Sequence, residues 1–214
     1  MTELIINKDF IQEIINISDE AGKSVMSIYN NQSAEYKIKN DNTPLTKADI
    51  ASHTIIVNRL RDLTPSVPII SEESCDIPFD VRSTWKEYWL VDPLDGTKEF
   101  INRNGEFTIN IALIKGNTPI LGVIYHPAKD VTYWGSKYHG SFIKRRSEDS
   151  SKISTSNTEK IKRIASSRSH KSNDTNLFIE TVGECEIITV GSSLKFCLVA
   201  SGEVDLYLRY GPTS

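Results

Sequence analysis

The chain is poor in cysteine, and its three, Cys75, Cys185 and Cys197, are not spaced to act together. An odd number without a C-x-x-C pair argues against a disulfide framework or a zinc site and for reduced thiols in a cytoplasm. Cys197 sits in an apolar helical stretch and reads as a core residue. Basic excess is also missing. Twenty-five Lys and Arg stand against 28 Asp and Glu, a formal net charge of −3, so no global positive field points to nucleic acid. No apolar run approaches the length that spans a bilayer, and the N-terminus MTELIINKDFIQEI carries acids where a secretion signal needs a basic then apolar start. Neither G-x-G-x-x-G nor G-x-x-x-x-G-K-[ST] occurs, so nucleotide sites of those two kinds get no support. What remains is an ordinary soluble composition, 38% hydrophobic and 25% charged over 214 residues, enough for one large domain or two small ones.

Periodicity divides this length. Residues 9–29 carry Ile11, Ile14, Ala21, Val25 and Ile28 near helical spacing, with Asp9 as the expected N-cap. A strand is expected at Tyr36–Lys39, followed by a turn over Asp41–Pro44. A second helix runs from about Thr46 to Thr64-Pro65, with Ala48, Ile55, Ile56, Val57 and Leu60 as its apolar residues. Strands follow at 67–70, 88–91, 108–114, 119–125 and 131–134, and their short turns predict an antiparallel sheet flanked by the two helices. Residues 145–160, RRSEDSSKISTSNTEK, lose almost all apolar character and read as a linker or long surface loop. Beyond it, strands at 161–165, 187–190 and 204–208 alternate with helices at 176–182 and 193–200, the pattern of an α/β unit. The expected organisation is an α+β lobe over 1–144, the linker, and a second lobe over 161–214.

The most informative stretch is Trp89-Leu-Val-Asp92-Pro-Leu-Asp95-Gly96-Thr97. It places two carboxylates around a proline at the end of an apolar run. Pro93 cannot continue a central strand, so a turn is expected where the acids sit. Paired acids repel unless a cation lies between them, and carboxylate with carbonyl oxygen is the donor set of Mg²⁺. Asp49 lies in the first turn of the second helix, and Glu72 and Glu73 lie just past a strand. Each cluster alone suits ordinary turn or helix-start chemistry, worth about 0.3–1 kcal/mol at a helix N-terminus. Together they can converge on one sheet rim and share metals, an arrangement suited to phosphate ester hydrolysis. Thr97 would orient the attacking water and pass its proton to Asp49. Gly96 would let the backbone approach a phosphate, and a helix starting near Thr97 would present its N–H groups.

Pro44-Leu-Thr46-Lys-Ala-Asp49, Ser71-Glu72-Glu73 and Asp92-Pro-Leu-Asp95-Gly-Thr97 occur in the order and at the spacings of the inositol-monophosphatase-like family of Mg²⁺-dependent, lithium-sensitive phosphatases. The chain resembles that family over essentially its whole length. Asp95-Gly-Thr-Lys98-Glu99-Phe100, Arg103–Asn110, Ser167-Arg-Ser-His170 and Gly191-Ser-Ser-Leu-Lys195-Phe-Cys make it most similar to the nucleotidase branch. The resemblance implies a layered α/β/α/β sandwich. It implies Glu72, Asp92, the Leu94 carbonyl and Asp95 as ligands of two or three Mg²⁺, with Asp49 and Thr97 activating the water. It also implies that Glu72 and the Leu94–Thr97 loop, Gly96 included, meet substrate, and that His170, Ser192, Lys195 and Arg209 hold the nucleoside and a retained phosphate.

The implied reaction is removal of the 3′-phosphate from adenosine 3′,5′-bisphosphate, and from its 5′-phosphosulfate relative, in sulfate assimilation and nucleotide recycling. The implied enzyme is cytoplasmic, either free or held at the inner membrane face, with a small nucleotide bisphosphate as its partner. Inositol and fructose-bisphosphate phosphatase activity are alternatives within the family, and a non-catalytic phospho-ligand binder is one outside it. The family continues past the position of Ser214 with a W-D-x-A-A-like segment. From this the 214-residue chain is expected to have an incomplete second lobe, fewer metals and weak or no activity.

Overall fold

The computed structural model describes residues 4–31, 36–38, 44–74, 76–168 and 173–210. Helix α1 (Lys8–Asn30) begins one residue before the expected cap, because Asn7 rather than Asp9 accepts the Phe10 N–H at 2.8 Å. Its buried stripe includes Ile11, Ile14, Ala21 and Val25. Strand β1 (Tyr36–Ile38) pairs antiparallel with β2 (Pro44–Thr46), which leads into α2 (Lys47–Leu63). Lys39 and the turn expected before Pro44 lie outside the described residues. Thr46 caps α2 reciprocally: its hydroxyl accepts N–H groups of the first turn while the Asp49 side chain accepts the Thr46 N–H at 2.8 Å.

The main sheet holds seven strands. They are β3 (Ile69–Ser71), β4 (Glu87–Asp95), β5 (Thr108–Lys115), β6 (Thr118–His126), β7 (Val131–Ser136), β8 (Gly140–Arg145) and β9 (Ser151–Lys152), in that order across the sheet. Two short helices, α3 (Phe79–Arg82) and α4 (Thr97–Ile101), flank β4. The antiparallel expectation holds from β4 to β9 and fails at the edge, where β3 runs parallel to β4. The crossover between them goes through α3, an element with no buried residue and hence no periodic signal.

Pro93 does not end its strand as its residue type predicts. The strand does not stop before it: β4 continues to Asp95, with its register against β5 shifting between Asp92 and Asp95. A bulge leaves residues outside the ladder, and a residue there needs no paired N–H, so proline is tolerated.

Trp89, Val91, Ile109, Ile111, Leu113, Leu121 and Val123 project from β4, β5 and β6 into one core with the buried faces of α1 and α2. Full burial of each such side chain stabilises by about 1.5–3 kcal/mol. Trp89 is wholly buried, and its indole N–H donates to the Thr64 hydroxyl at 2.9 Å, tying β4 to the end of α2.

The C-terminal part forms a separate parallel sheet, β11-β10-β12, from β10 (Arg163–Ser167), β11 (Glu186–Val190) and β12 (Leu206–Tyr207), with α5 (Asn173–Val182) and α6 (Leu194–Ala200) between strands. The strand expected over 204–208 is shorter than its apolar run. Asp205 instead turns its carboxylate to the N–H groups of Lys162 and Arg163, both at 2.9 Å. Among the described residues no helix is long and apolar enough to cross a membrane.

Candidate active site

Parallel pairing of β3 with β4 explains why separate acidic motifs meet. Ser71 is in register with Val91, and the Glu72 N–H donates to the Val91 carbonyl at 3.1 Å, so the chain leaves β3 beside the point where β4 enters its bulge. Glu72 and Asp92 therefore emerge side by side. On the next strand Asn110 lies opposite Asp92, and Thr108 lies opposite Asp95 across the bulge. Within the bulge the Leu94 N–H donates to Asp92 Oδ1 at 3.2 Å, and the Pro93 carbonyl accepts the Ser52 hydroxyl of α2 at 2.7 Å. These bonds fix the bulge to the helix that carries Asp49.

Gly96 follows with φ at +91°, a conformation that disfavours any side chain. A Cβ there would stand 3.0 Å from the Glu106 carbonyl oxygen and 3.2 Å from Ser192 Cβ. The turn delivers Thr97 to the start of α4. Its hydroxyl lies 3.2 Å from Asp49 Oδ1 and 3.2 Å from the Leu94 carbonyl oxygen. Asp49 is only 2% exposed, and its other oxygen is held by Thr46. Forty-eight residues of sequence separate Asp49 from Thr97, and the fold makes them partners.

The electrostatics follow from burial. Asp92 is pushed well above the usual carboxylate range by desolvation, then by the charges of Asp95 and Glu72, and a hydrogen bond to Glu72 acts in the same direction. Asp95 is also raised by burial, although the Ser193 N–H, the Lys195 charge and Asn110 pull it down. Desolvation raises Asp49 too, against the two Thr46 hydrogen bonds. Burying carboxylates beside one another favours protonation unless a cation compensates.

The donor chemistry at this edge, carboxylates with a backbone carbonyl, fits a hard divalent ion such as Mg²⁺. Among the described residues, however, no three His, Cys, Asp or Glu side chains already form a metal-holding group. Burial and then the charges of Asp95 and Glu72 raise the Asp92 pKa, and the acids among the described residues do not form a closed cage.

The second sheet contributes the facing wall. The turn after β11 holds Ser192 at φ +50°, an uncommon value for a residue with a side chain. Ser193 donates its N–H to Asp95 Oδ2 and its hydroxyl to Asn110 Oδ1, the latter at 2.9 Å, and lies 2.8 Å from the Thr108 hydroxyl. Lys195 is 6% exposed, donates to the Ser192 carbonyl, and sits 5.5 Å from the centre of the Tyr207 ring. Burial lowers its pKa, Asp95 and Glu99 raise it, and the Arg209 charge lowers it. Lys195 thus feels both the acidic edge and Arg209.

Of the residues nominated from sequence, Asp49, Glu72, Asp92, Leu94, Asp95, Gly96, Thr97, Ser192 and Lys195 come together here, Arg209 acts on Lys195 through its charge, and His170 lies outside the described residues. Sequence reasoning missed Ser52, Thr108, Asn110 and Ser193. The one available signal was the alternation Thr108-Ile-Asn110 on β5, which turns both polar side chains away from the core.

A family model described as the inositol monophosphatase family matches residues 7–214. The chain belongs to that family. Members are generally Mg²⁺-dependent phosphatases. The chain is 44% identical to the 3′(2′),5′-bisphosphate nucleotidase CysQ of Salmonella typhimurium strain LT2 over 206 residues, 95% of this chain and 82% of the relative. It is 45% identical to CysQ of Escherichia coli strain K12, with the same coverage. Among solved structures, CysQ from Bacteroides thetaiotaomicron superposes with a TM-score of 0.83 at 36% identity, covering 97% of this chain and 82% of that one. The suhB protein of Bartonella henselae shares the fold, with a TM-score of 0.79 at 24% identity and coverage of 94% and 78%.

Proposed function

We propose that this protein is a Mg²⁺-dependent phosphatase that removes the 3′-phosphate from adenosine 3′,5′-bisphosphate, giving AMP, and from the corresponding 5′-phosphosulfate. The names of its relatives support the substrate. The observation that carries the reaction is the Thr97 hydroxyl, held between Asp49 Oδ1 and the Leu94 carbonyl on the bulge that bears Asp92 and Asp95.

The hydroxyl oxygen of Thr97 accepts a proton from the attacking water as its own proton moves to Asp49, whose pKa is raised by burial. A base with a pKa nearer the working pH is the better general base. Glu72, Asp92, Asp95 and the Leu94 carbonyl would hold the metal, two or three ions in the family's full motif. Bound Mg²⁺ supplies Lewis-acid polarisation of the phosphoryl oxygens and a lowered pKa for bound water. Gly96 brings the backbone against the scissile phosphate. Lys195 and Arg209 hold the retained 5′-phosphate by charge-assisted hydrogen bonds, with Ser192 and His170 on the nucleoside side. Residues 1–152, through β9 of the main sheet, then act as the catalytic lobe and 161–214 as the recognition lobe, so the sheet takes up part of the 145–160 stretch expected to be a linker.

Phosphate release from adenosine 3′,5′-bisphosphate, inositol 1-phosphate and fructose 1,6-bisphosphate, with Mg²⁺, with chelator and with lithium, tests the assignment. The bisphosphonucleoside is expected to be the preferred substrate, with turnover lost in chelator and inhibited by lithium. Faster turnover of inositol 1-phosphate, or metal-independent binding of the nucleotide without turnover, would refute it.

A further inference from the structure

Glu106 belongs to neither the proposed catalytic set nor the proposed phosphate grip, yet its backbone packs on Gly96 and its carboxylate binds Gly191, next to Ser192. It lies in the loop between α4 and β5, where Asn104 Oδ1 accepts its backbone N–H at 2.9 Å. Its carboxylate accepts three hydrogen bonds from the C-terminal part. Arg168 Nε and Nη2 bind it side-on at 2.7 and 2.6 Å, and the Gly191 N–H donates to it at 2.8 Å. Arg168 also donates to the Thr189 carbonyl at 3.0 Å, which ties the ends of β10 and β11 into the same joint.

The Glu106 backbone works in the other direction. Its carbonyl oxygen lies 3.0 Å from where a Cβ on Gly96 would be, and 3.2 Å from where one on Gly191 would be. A Cβ on Gly191 would also run into Glu99 Cγ at 2.6 Å. Both glycine turns thus pack tightly against one peptide unit: a Cβ on Gly96 would need its neighbours to give way, and one on Gly191 would overlap Glu99.

Gly191 immediately precedes Ser192 and Ser193, and the Ser193 N–H reaches Asp95. Holding the Gly191 peptide fixes where that N–H points and where α6, which carries Lys195 in its first turn, begins. A lone surface ion pair contributes about 0–1 kcal/mol. A side-on guanidinium pair that shares its carboxylate with a backbone donor constrains orientation as well as distance.

We propose that Glu106 is a positioning residue for substrate selectivity: it sets the Ser192–Lys195 segment at the separation from the Asp95–Thr97 bulge that a substrate with two phosphates requires. This rests on the function proposed above. Substrates that engage only the bulge depend on Glu106 less than those that bridge from the bulge to Lys195.

The test compares adenosine 3′,5′-bisphosphate with adenosine 3′-monophosphate, which has the same scissile ester and no second phosphate. In Glu106→Gln the amide oxygen can still accept from Gly191, but the charge-assisted pair with Arg168 is lost. The expected result is a rise in KM for the bisphosphate of about tenfold, the lower end of what removing a supporting group costs. Its kcat should change less, and kcat/KM for the monophosphate should fall by a smaller factor. Arg168→Lys, which keeps the charge but cannot bind side-on, is expected to shift the same ratio in the same direction by less, and carries the test if Glu106→Gln does not fold. Proportional losses on both substrates would mean a purely structural role and would overturn the proposal, as would unchanged kinetics on both. A wild-type protein that turns over inositol 1-phosphate faster than the bisphosphate overturns the proposed function instead, which separates the two failures.

Discussion

Replacing Asp49 by asparagine tests the proposed water-activating pair most directly. The side chain does two jobs. One oxygen completes the reciprocal cap of α2 with Thr46, and the other faces the Thr97 hydroxyl at 3.2 Å. Losing a cap costs about 0.5–2 kcal/mol, but asparagine is itself a good acceptor and keeps part of it. A further effect offsets the remainder. Burial raises the Asp49 pKa in the folded state, so the folded protein holds this proton more tightly than the unfolded chain. Above the unfolded pKa that difference costs stability, and a neutral amide removes the cost. The stability change should therefore be small, with Tm moving by about 2–4 °C for each kcal/mol left over.

Catalysis should respond very differently. Removing a general base costs roughly 10²–10⁴-fold in kcat, or about 3–5 kcal/mol of barrier. Thr97→Ala removes the hydroxyl through which the proton passes and should fall in the same range. The deciding measurement is the double variant. If Asp49 and Thr97 act as one relay, Asp49→Asn with Thr97→Ala loses little more than the worse single variant, because each single already breaks the path. Losses that multiply, with all Tm values near wild type, would show that the two residues contribute separately and would refute the relay.

Two further outcomes follow from the packing. Thr64→Val leaves the fully buried Trp89 indole N–H without its acceptor, and should cost about 1–3 kcal/mol in urea unfolding; an unchanged midpoint would mean that another acceptor replaces the hydroxyl. Asp205 is held below the usual carboxylate range by the Lys162 N–H, then by the Ser156 hydroxyl and Arg163. Its contribution to stability is complete above the unfolded pKa of about 3.9 and disappears as pH falls through the lower folded value. Asp205→Asn should therefore lower Tm at neutral pH, with the difference closing as pH falls below about 4; a constant difference would contradict the assignment.

Much of the fold was legible because the sequence repeats its instructions locally. Helix α1 announces itself by Ile11, Ile14, Ala21 and Val25, and the strands from β4 to β7 by apolar runs between turn residues. The errors occurred where long-range pairing overrides a local rule. Pro93 ends a strand by propensity, yet here it occupies a bulge held by β5 on one side and by the Ser52 hydroxyl of α2 on the other. The parallel docking of β3 on β4 depends on a crossover through α3, which buries nothing and so leaves no pattern to read. Strand β8 was missed because it alternates weakly, with only Ile143 buried.

The site divides along the same line. Residues that would meet metal or water carry local signatures, since an acid beside glycine or proline at the end of an apolar run is conspicuous in one dimension. The groups that aim those residues are ordinary serines, threonines and amides from remote positions. Ser193 is 98 residues from the Asp95 it steadies, and Arg168 is 62 from Glu106. Nothing in Thr108-Ile-Asn110 alone distinguishes a solvated face from a support for two carboxylates; only its register opposite Asp92 and Asp95 does. The same separation suggests how the family can keep one hydrolytic edge while changing its substrates. The bulge and its acids are set by β3, β4 and α2, whereas the facing wall hangs on a few contacts from the 104–110 segment to the turn after β11. On the function proposed above, substitutions at the contacts that do not reach Asp95, those of Glu106 with Arg168 and Gly191, are expected to move Lys195 and Ser192 while Asp49 and Thr97 stay in place, so selectivity would drift before the chemistry does.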